Sequence, residues 1–251
     1  MGGENRVDYR HYMLSKREVL WVLLVSVGIS GMIAWLFYRS IWGTVLFPVV
    51  CALYAKSYRK ELQKKRAERL LLEFKDAMQA VSAALLAGYS MENAWREAER
   101  ELRELYGEGG LMLAEVQQIN AAVRVNEPLE HALVEFAARS GCEEIESFAE
   151  VFGFAKRSGG DFAKIIRTTV YKLTGRIEVE REIQTVLAGK RLEGRVMNVV
   201  PMLILAYMTL TSGDFLAPLY GSLLGVSAMT AALAAYAGAL WLSARILDIQ
   251  I

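Results

Sequence analysis

Four stretches of the chain, residues 19–38, 41–55, 196–212 and 226–244, are apolar and free of charged side chains. Between the second and third lies a charged stretch, residues 56–195, with no long apolar run. The first apolar stretch rises about 1.5 Å per residue as a helix and so crosses a hydrocarbon core of roughly 30 Å. Trp21, Trp35 and Tyr38 stand near its ends, where aromatic rings favour the membrane interface. The expected layout is a charged helical block slung between two pairs of membrane helices.

The other apolar stretches are less regular. Residues 41–55 carry Pro48 and are short for a crossing. They suffice if Lys56, Arg59 and Lys60 snorkel back to the surface; the alternative is a re-entrant or interfacial helix. Residues 196–212 contain Asn198 and Pro201. Proline is tolerated in a membrane helix when neighbours satisfy the carbonyl it frees, and Asn198 is expected to bond a neighbouring helix. In residues 226–244, Ala231, Ala235, Gly238 and Ala239 give small faces that allow close helix approach. The charged start of the chain, with no prompt cleavage site after the first apolar run, reads as a retained anchor and not a cleaved signal.

Orientation follows from the basic residues. Arg6, Arg10, Lys16 and Arg17 precede the first apolar stretch, and Lys56, Arg59, Lys60, Lys64, Lys65, Arg66 and Arg69 follow the second. Lys190, Arg191 and Arg195 precede the third, and Arg245 follows the fourth. The opposite connections carry Arg39 and, across 213–225, no Lys or Arg. The positive-inside bias then places both termini and the central block in the cytoplasm of a cell-membrane protein. The expected division is a cytoplasmic segment 1–18, a membrane pair 19–55, a cytoplasmic domain 56–195, a membrane pair 196–244 and a tail 245–251.

The central block reads as all-α. Leu71, Phe74, Met78, Val81 and Leu85 step by three and four, as one helical face does. Gly88 is expected to end that helix in the left-handed conformation, and Ser90 to cap the next. There Met91, Trp95, Ala98, Leu102 and Leu105 continue the spacing. Met112, Val116, Ile119 and Val123 mark a third helix, and Leu129, Leu133 and Phe136 a fourth, with Asn126 as its expected cap. Ile145, Phe148, Phe152 and Ala155 mark a fifth. After Ser158-Gly159-Gly160-Asp161, with Asp161 or Ser158 as cap, Phe162, Ile166, Val170, Leu173 and Ile177 mark a sixth. No strong breaker follows before Pro201, so the last helix is expected to run from the domain into the membrane. Six amphipathic helices with short links form a bundle.

Little of the chain points to chemistry. Net charge is +1, so no nucleic acid or other bulk polyanion is implied as partner. Cys51 and Cys142 fall in an apolar segment and in the charged block, and read as free thiols in a reducing compartment. Residues 188–191, Ala-Gly-Lys-Arg, lack the leading glycine and the hydroxyl of a phosphate loop. His11 and His131 stand in unrelated segments. No catalytic residue, cofactor or metal ligand is therefore expected, and the chain reads as a non-enzyme. Gly88, Gly159 and Gly160 are the candidate hinges or turns. Candidate partner contacts are Glu143, Glu146 and Glu150, which share a helical face suited to solvent, a basic partner or a divalent cation, together with Lys190 and Arg191.

The run Leu85-Leu86-Ala87-Gly88-Tyr89-Ser90 before Ala94 resembles the hairpin of the type II secretion system F domain. Ser158-Gly159-Gly160-Asp161-Phe162 resembles the turn before that family's last long helix, and Leu187 to Arg191 with Asn198 to Pro201 the segment entering the membrane. One such domain between two membrane pairs is similar to the inner-membrane platform proteins of tight-adherence (Flp-type) pili. The resemblance implies a platform that couples a cytoplasmic ATPase to the extraction of prepilin-like subunits and pairs with a sister F-domain protein or with itself. No metal-binding residue is carried over from the two-domain members. The alternative is a membrane-anchored helical scaffold or sensor for an unrelated cytoplasmic partner.

Overall fold

A computed structural model of the chain describes residues 7–10, 14–39, 47–158, 161–211, 219–220 and 222–247. Regular structure among them is entirely helical: α1 (Lys16–Ile33, continued by a π-helical turn Ala34–Tyr38), α2 (Phe47–Leu86), α3 (Met91–Tyr106), α4 (Leu111–Arg124), α5 (Leu129–Ser140), α6 (Glu143–Ser158), α7 (Phe162–Thr211) and α8 (Leu223–Leu247). They fall into two compact units, one of Met1–Met13 with Arg59–Val179, the other of Leu14–Tyr58 with Glu180–Ile251. Both α2 and α7 supply residues to each unit.

In the first unit α2 runs without Gly or Pro from Val49 to its end, so nothing in the sequence divides its basic stretch from the amphipathic one. Ion pairs one turn apart, Glu61–Lys65 at 3.2 Å and Lys64–Glu68 at 3.8 Å, line its outer side and support it by a few tenths of a kcal/mol each. The opposite face buries Leu70, Phe74, Ala77, Met78, Val81 and Ala84. Its end is a Schellman arrangement: Tyr89 N–H donates to the Ala84 carbonyl and Gly88 N–H to that of Leu85, with Gly88 at φ +86°. Ser90 then caps α3, accepting from Asn93 N–H at 3.4 Å.

The expected apolar face of α3 needs one correction. Leu105 is exposed, and Tyr106 packs against the core in its place, its hydroxyl donating to the Asp76 carboxylate of α2. A phenol reaches an acceptor at the rim where a leucine has none.

Asn126 does not cap α5; Pro128 holds that position. Asn126 sits at φ +66° and closes α4, donating to the Val123 carbonyl while Glu127 N–H donates to that of Ala122. This is the same Schellman geometry as at Gly88, with asparagine serving as the one common non-glycine residue that tolerates it. α6 begins after Gly141, itself left-handed at φ +66°. Asp161 caps α7 through Lys164 N–H at 3.1 Å, as expected. Gly159 and Gly160 lie outside the described residues.

The core of this unit centres on phenylalanine. Phe136, Phe74, Phe148, Phe152 and Phe162 touch in series, with ring centroids 6.3, 5.5, 5.8 and 5.2 Å apart. They link α5, α2, α6 and α7, and the tilted and edge-on arrangements suit ring quadrupoles. Trp95 of α3 and Met112, Val116 and Ile119 of α4 complete the same core.

In the second unit the π-turn after α1 buries Leu36 and Phe37 with Met229 of α8. A π-turn loosens the regular ladder, and here Tyr220 donates to the Leu36 carbonyl at 2.8 Å. Among the described residues, three helices are long and apolar enough to cross a membrane: Lys16–Tyr38, a stretch of Phe162–Thr211, and Leu224–Ser243. Leu20, Leu24, Val27, Leu203, Ile204, Tyr207 and Leu210 remain uncovered along them, a surface that suits hydrocarbon and not water. Of the second expected crossing, residues 41–46 lie outside the described residues. The rest, 47–55, forms only about 14 Å of α2.

Candidate functional site

A slot of about 470 Å³ opens between α6 and the start of α7. Phe148 and Leu173, both buried, belong to the core at its floor, and Val151 and Ile165 line it with them. The α6 wall carries Glu143, Glu144 and Ser147; the α7 wall carries Lys164, Thr168, Thr169, Lys172 and Arg176. The residues fall this way because the core-facing stripes of both helices meet at Phe148 and Leu173, and each helix turns its neighbouring polar positions toward the gap. Glu144 and Arg176 form an ion pair from one wall to the other. Thr168 and Thr169 donate their hydroxyls to the carbonyls of Lys164 and Ile165 within α7.

The slot divides the sequence-predicted contact residues. Glu143 lines it. Glu146 faces elsewhere and accepts from Arg10 at 3.1 Å, and Glu150 is exposed. Lys190 pairs with Glu193 at 3.0 Å, and Arg191 donates to Gln184 at 2.5 Å, both along α7 itself. The candidate contacts are therefore not gathered at one place. Gly88 stands at φ +86° after the end of α2.

Several buried or part-buried polar residues escaped the sequence reading, Glu115, Arg139, Tyr9 and Glu73 among them. Glu115, closed off from solvent, accepts from Arg139 Nη1 at 3.1 Å and Nη2 at 2.6 Å, and from the Tyr9 hydroxyl at 3.0 Å. Tyr9 also donates its N–H to the Arg139 carbonyl, and the Arg66 guanidinium lies 4.9 Å from the centre of its ring. Burial, and after it the Glu115 carboxylate, holds the Tyr9 phenol above its usual range. Residues 7–10 thus form a strap on the first unit, which no periodic pattern in so short a segment announces. Glu73, also buried, accepts from Arg69 Nε at 2.8 Å and from Met112 N–H at 2.8 Å. It serves α4 as a cap supplied by α2, taking up an N–H that the first turn leaves without a partner. Both glutamates sit at core-facing positions, and a carboxylate interrupting an apolar stripe was the available signal.

Among the described residues, one group has the donor types of a metal site. Glu127, His131 and Glu135 bring their ligand atoms within 4.8 Å of one another. His131 Nδ1 lies 2.6 Å from Glu127 Oε1, and the His131 side chain is exposed. One imidazole and two carboxylates form a set that suits zinc and neighbouring divalent ions. A second histidine beside His131 was the pattern sought in the sequence, and the available signal was instead the glutamates four positions to either side, Glu127 and Glu135.

Cys142 is buried in the first unit, and burial, then the Glu146 charge, pushes its thiol up to about 11. It has neither the low pKa nor the exposure of a nucleophile. In the second unit Asn198 Nδ2 lies 3.5 Å from Ser243 Oγ, and its carbonyl accepts from the Tyr236 hydroxyl. Both partners are on α8, in keeping with a helix-to-helix role. No protein-family model, no curated protein and no solved structure matches the chain.

Proposed function

We propose that the chain is an inner-membrane platform protein of a type II secretion or tight-adherence pilus machine, coupling a cytoplasmic ATPase to the extraction of pilin or pseudopilin subunits. In this reading the first unit is a cytoplasmic six-helix F domain flanked by two membrane pairs, with both termini in the cytoplasm. The partners are the ATPase, the prepilin-like subunits, the bilayer, and a sister F-domain protein or a second copy. No bond chemistry is assigned to it.

The observation that carries the reading is α7. It is a single helix of 50 residues that places Ile166 and Leu173 in the core of the first unit and continues through Pro201 into an apolar, uncovered stretch. In this reading α7 is the lever that joins the domain to the bilayer. Its basic residues before the apolar stretch, Lys190, Arg191 and Arg195, suit a cytoplasmic membrane face.

The test is genetic and biochemical. Deletion of the gene should abolish surface pili or pseudopilus-dependent secretion, with rescue by the intact gene. The tagged chain should copurify with a hexameric secretion ATPase. Intact assembly in the deletion strain, or reporter fusions placing residues 70–179 outside the cytoplasm, would defeat the reading.

A further inference from the structure

The slot between α6 and α7 is a groove at the surface of the first unit, open to solvent over an apolar floor. About 470 Å³ stands open over Phe148 and Leu173. Val151 remains 50% exposed at its edge. Along α7 the lining runs from Lys164 to Arg176, about 18 Å of helix, so the slot is some three turns long. A trough walled by two helices and floored by apolar side chains is the shape into which a third helix lays an apolar stripe.

Charge sets what kind of helix. The α7 wall is basic throughout, with Lys164, Lys172 and Arg176, while the charges of the α6 wall are Glu143 and Glu144. Arg176 and Glu144 neutralise one another across the slot. Lys164 and Lys172 make no ion pair among the described residues, nor does Glu143. The two lysines are eight positions apart and so lie on the same side of α7, about 12 Å from each other. We propose that this slot docks one amphipathic helix of a partner protein, bearing carboxylates at i, i+4 and i+8 on the flank that meets α7. Its apolar stripe covers Phe148, Val151, Ile165 and Leu173. Its carboxylates meet Lys164 and Lys172, which also fixes its direction and register. The inference stands on the slot alone and holds whether or not the chain serves a pilus machine.

The experiment uses the full chain in nanodiscs of zwitterionic lipid and two labelled synthetic helices. Both carry the same leucine stripe; one has glutamates and the other lysines on the flank. Fluorescence anisotropy should show the acidic helix binding at least tenfold more tightly, with the preference weakening as salt rises. The double variant K164E/K172E should reverse the preference, and Val151→Glu should abolish binding of either helix. All three positions are at the surface or the slot's edge, and circular dichroism checks that each variant remains folded. Equal binding of both helices, binding of neither, or an unchanged preference in K164E/K172E overturns the proposal. So does a change in oligomeric state, or loss of a copurified lipid, caused by Val151→Glu alone, since the slot's occupant would then be a second copy or an acyl chain.

Discussion

Arg139 grips Glu115 with two hydrogen bonds, 3.1 Å from Nη1 to Oε1 and 2.6 Å from Nη2 to Oε2, where the carboxylate has no access to solvent. A pair buried this way contributes little net stability over an apolar replacement, but losing one partner leaves a stranded charge. Arg139→Ala should therefore destabilise the first unit by about 3–5 kcal/mol, and the double change E115L/R139M by much less. Thermal unfolding followed by circular dichroism in detergent distinguishes the two. Equal losses for both would mean that the pair matters for packing and not for charge.

Tyr9 extends that pair into the strap, and its phenol titrates above its usual range because of burial first and the Glu115 charge second. The sign of the pH effect follows. The unfolded phenol loses its proton near pH 10 while the folded one keeps it, so the stability from this group is complete below about pH 10 and falls as pH rises further. Tyr9→Phe should cost about 1.5–3 kcal/mol at neutral pH, the worth of a hydrogen bond to a charged group. It should also flatten the alkaline decline. An alkaline melting curve of the same steepness in Tyr9→Phe would show that the decline comes from other groups, Tyr106 first among them, since its phenol is also raised by burial and by Asp76.

At Gly88 the backbone stands at φ +86° with nothing within 4 Å of where a Cβ would lie. The cost of a side chain there is conformational and not steric. Gly88→Ala should destabilise by about 1 kcal/mol, and Gly88→Asn by less. Asn126 already fills the equivalent position at the end of α4 at φ +66°. A Gly88→Asn variant as unstable as Gly88→Ala in urea titration would contradict this account.

The contrast between these residues shows what was legible in the sequence. Gly88, Ser90, Asp161 and the apolar stripes were readable because local rules govern them: a turn needs a left-handed residue, a helix start needs an acceptor, a face needs its three-and-four spacing. Asn126 was misread because asparagine serves both ends of helices, and only the φ angle distinguishes them. Leu105 was misread because two adjacent apolar residues competed for one position at the end of a helix. Tyr9, Glu73 and Glu115 were missed because each depends on a partner distant in the chain; the Tyr9–Glu115 bond spans 106 positions. The slot belongs to the same class, since it exists only where α6 and α7 face each other.

Cys142 should be inert in the folded chain. Its thiol is pushed up to about 11, by burial and then by Glu146, so near pH 7.5 almost none is thiolate, and the thiolate is the reactive form. In a Cys51→Ala background, iodoacetamide at pH 7.5 should leave Cys142 unlabelled for hours and label it fully once the chain is unfolded in urea. Mass spectrometry of the labelled peptide reads the outcome. Prompt labelling without denaturant would mean that the end of α5 opens readily.

Pro201, in the last quarter of α7, leaves the Met197 carbonyl without its helical donor, and Tyr236 of α8 donates to the neighbouring carbonyl, that of Asn198. Pro201 has no N–H and displaces the carbonyl four residues earlier, which loosens the turn containing Asn198. The Tyr236 hydroxyl donates to the Asn198 carbonyl. Interhelical hydrogen bonds between membrane helices average about 0.6 kcal/mol, and one that serves a proline-weakened turn should be worth at least that. Tyr236→Phe should lower the stability of the full chain by about 0.6–1.5 kcal/mol. Pro201→Ala restores the regular ladder, so in that background the same change should cost less. A double-mutant cycle with a coupling energy indistinguishable from zero would show that the two residues act independently.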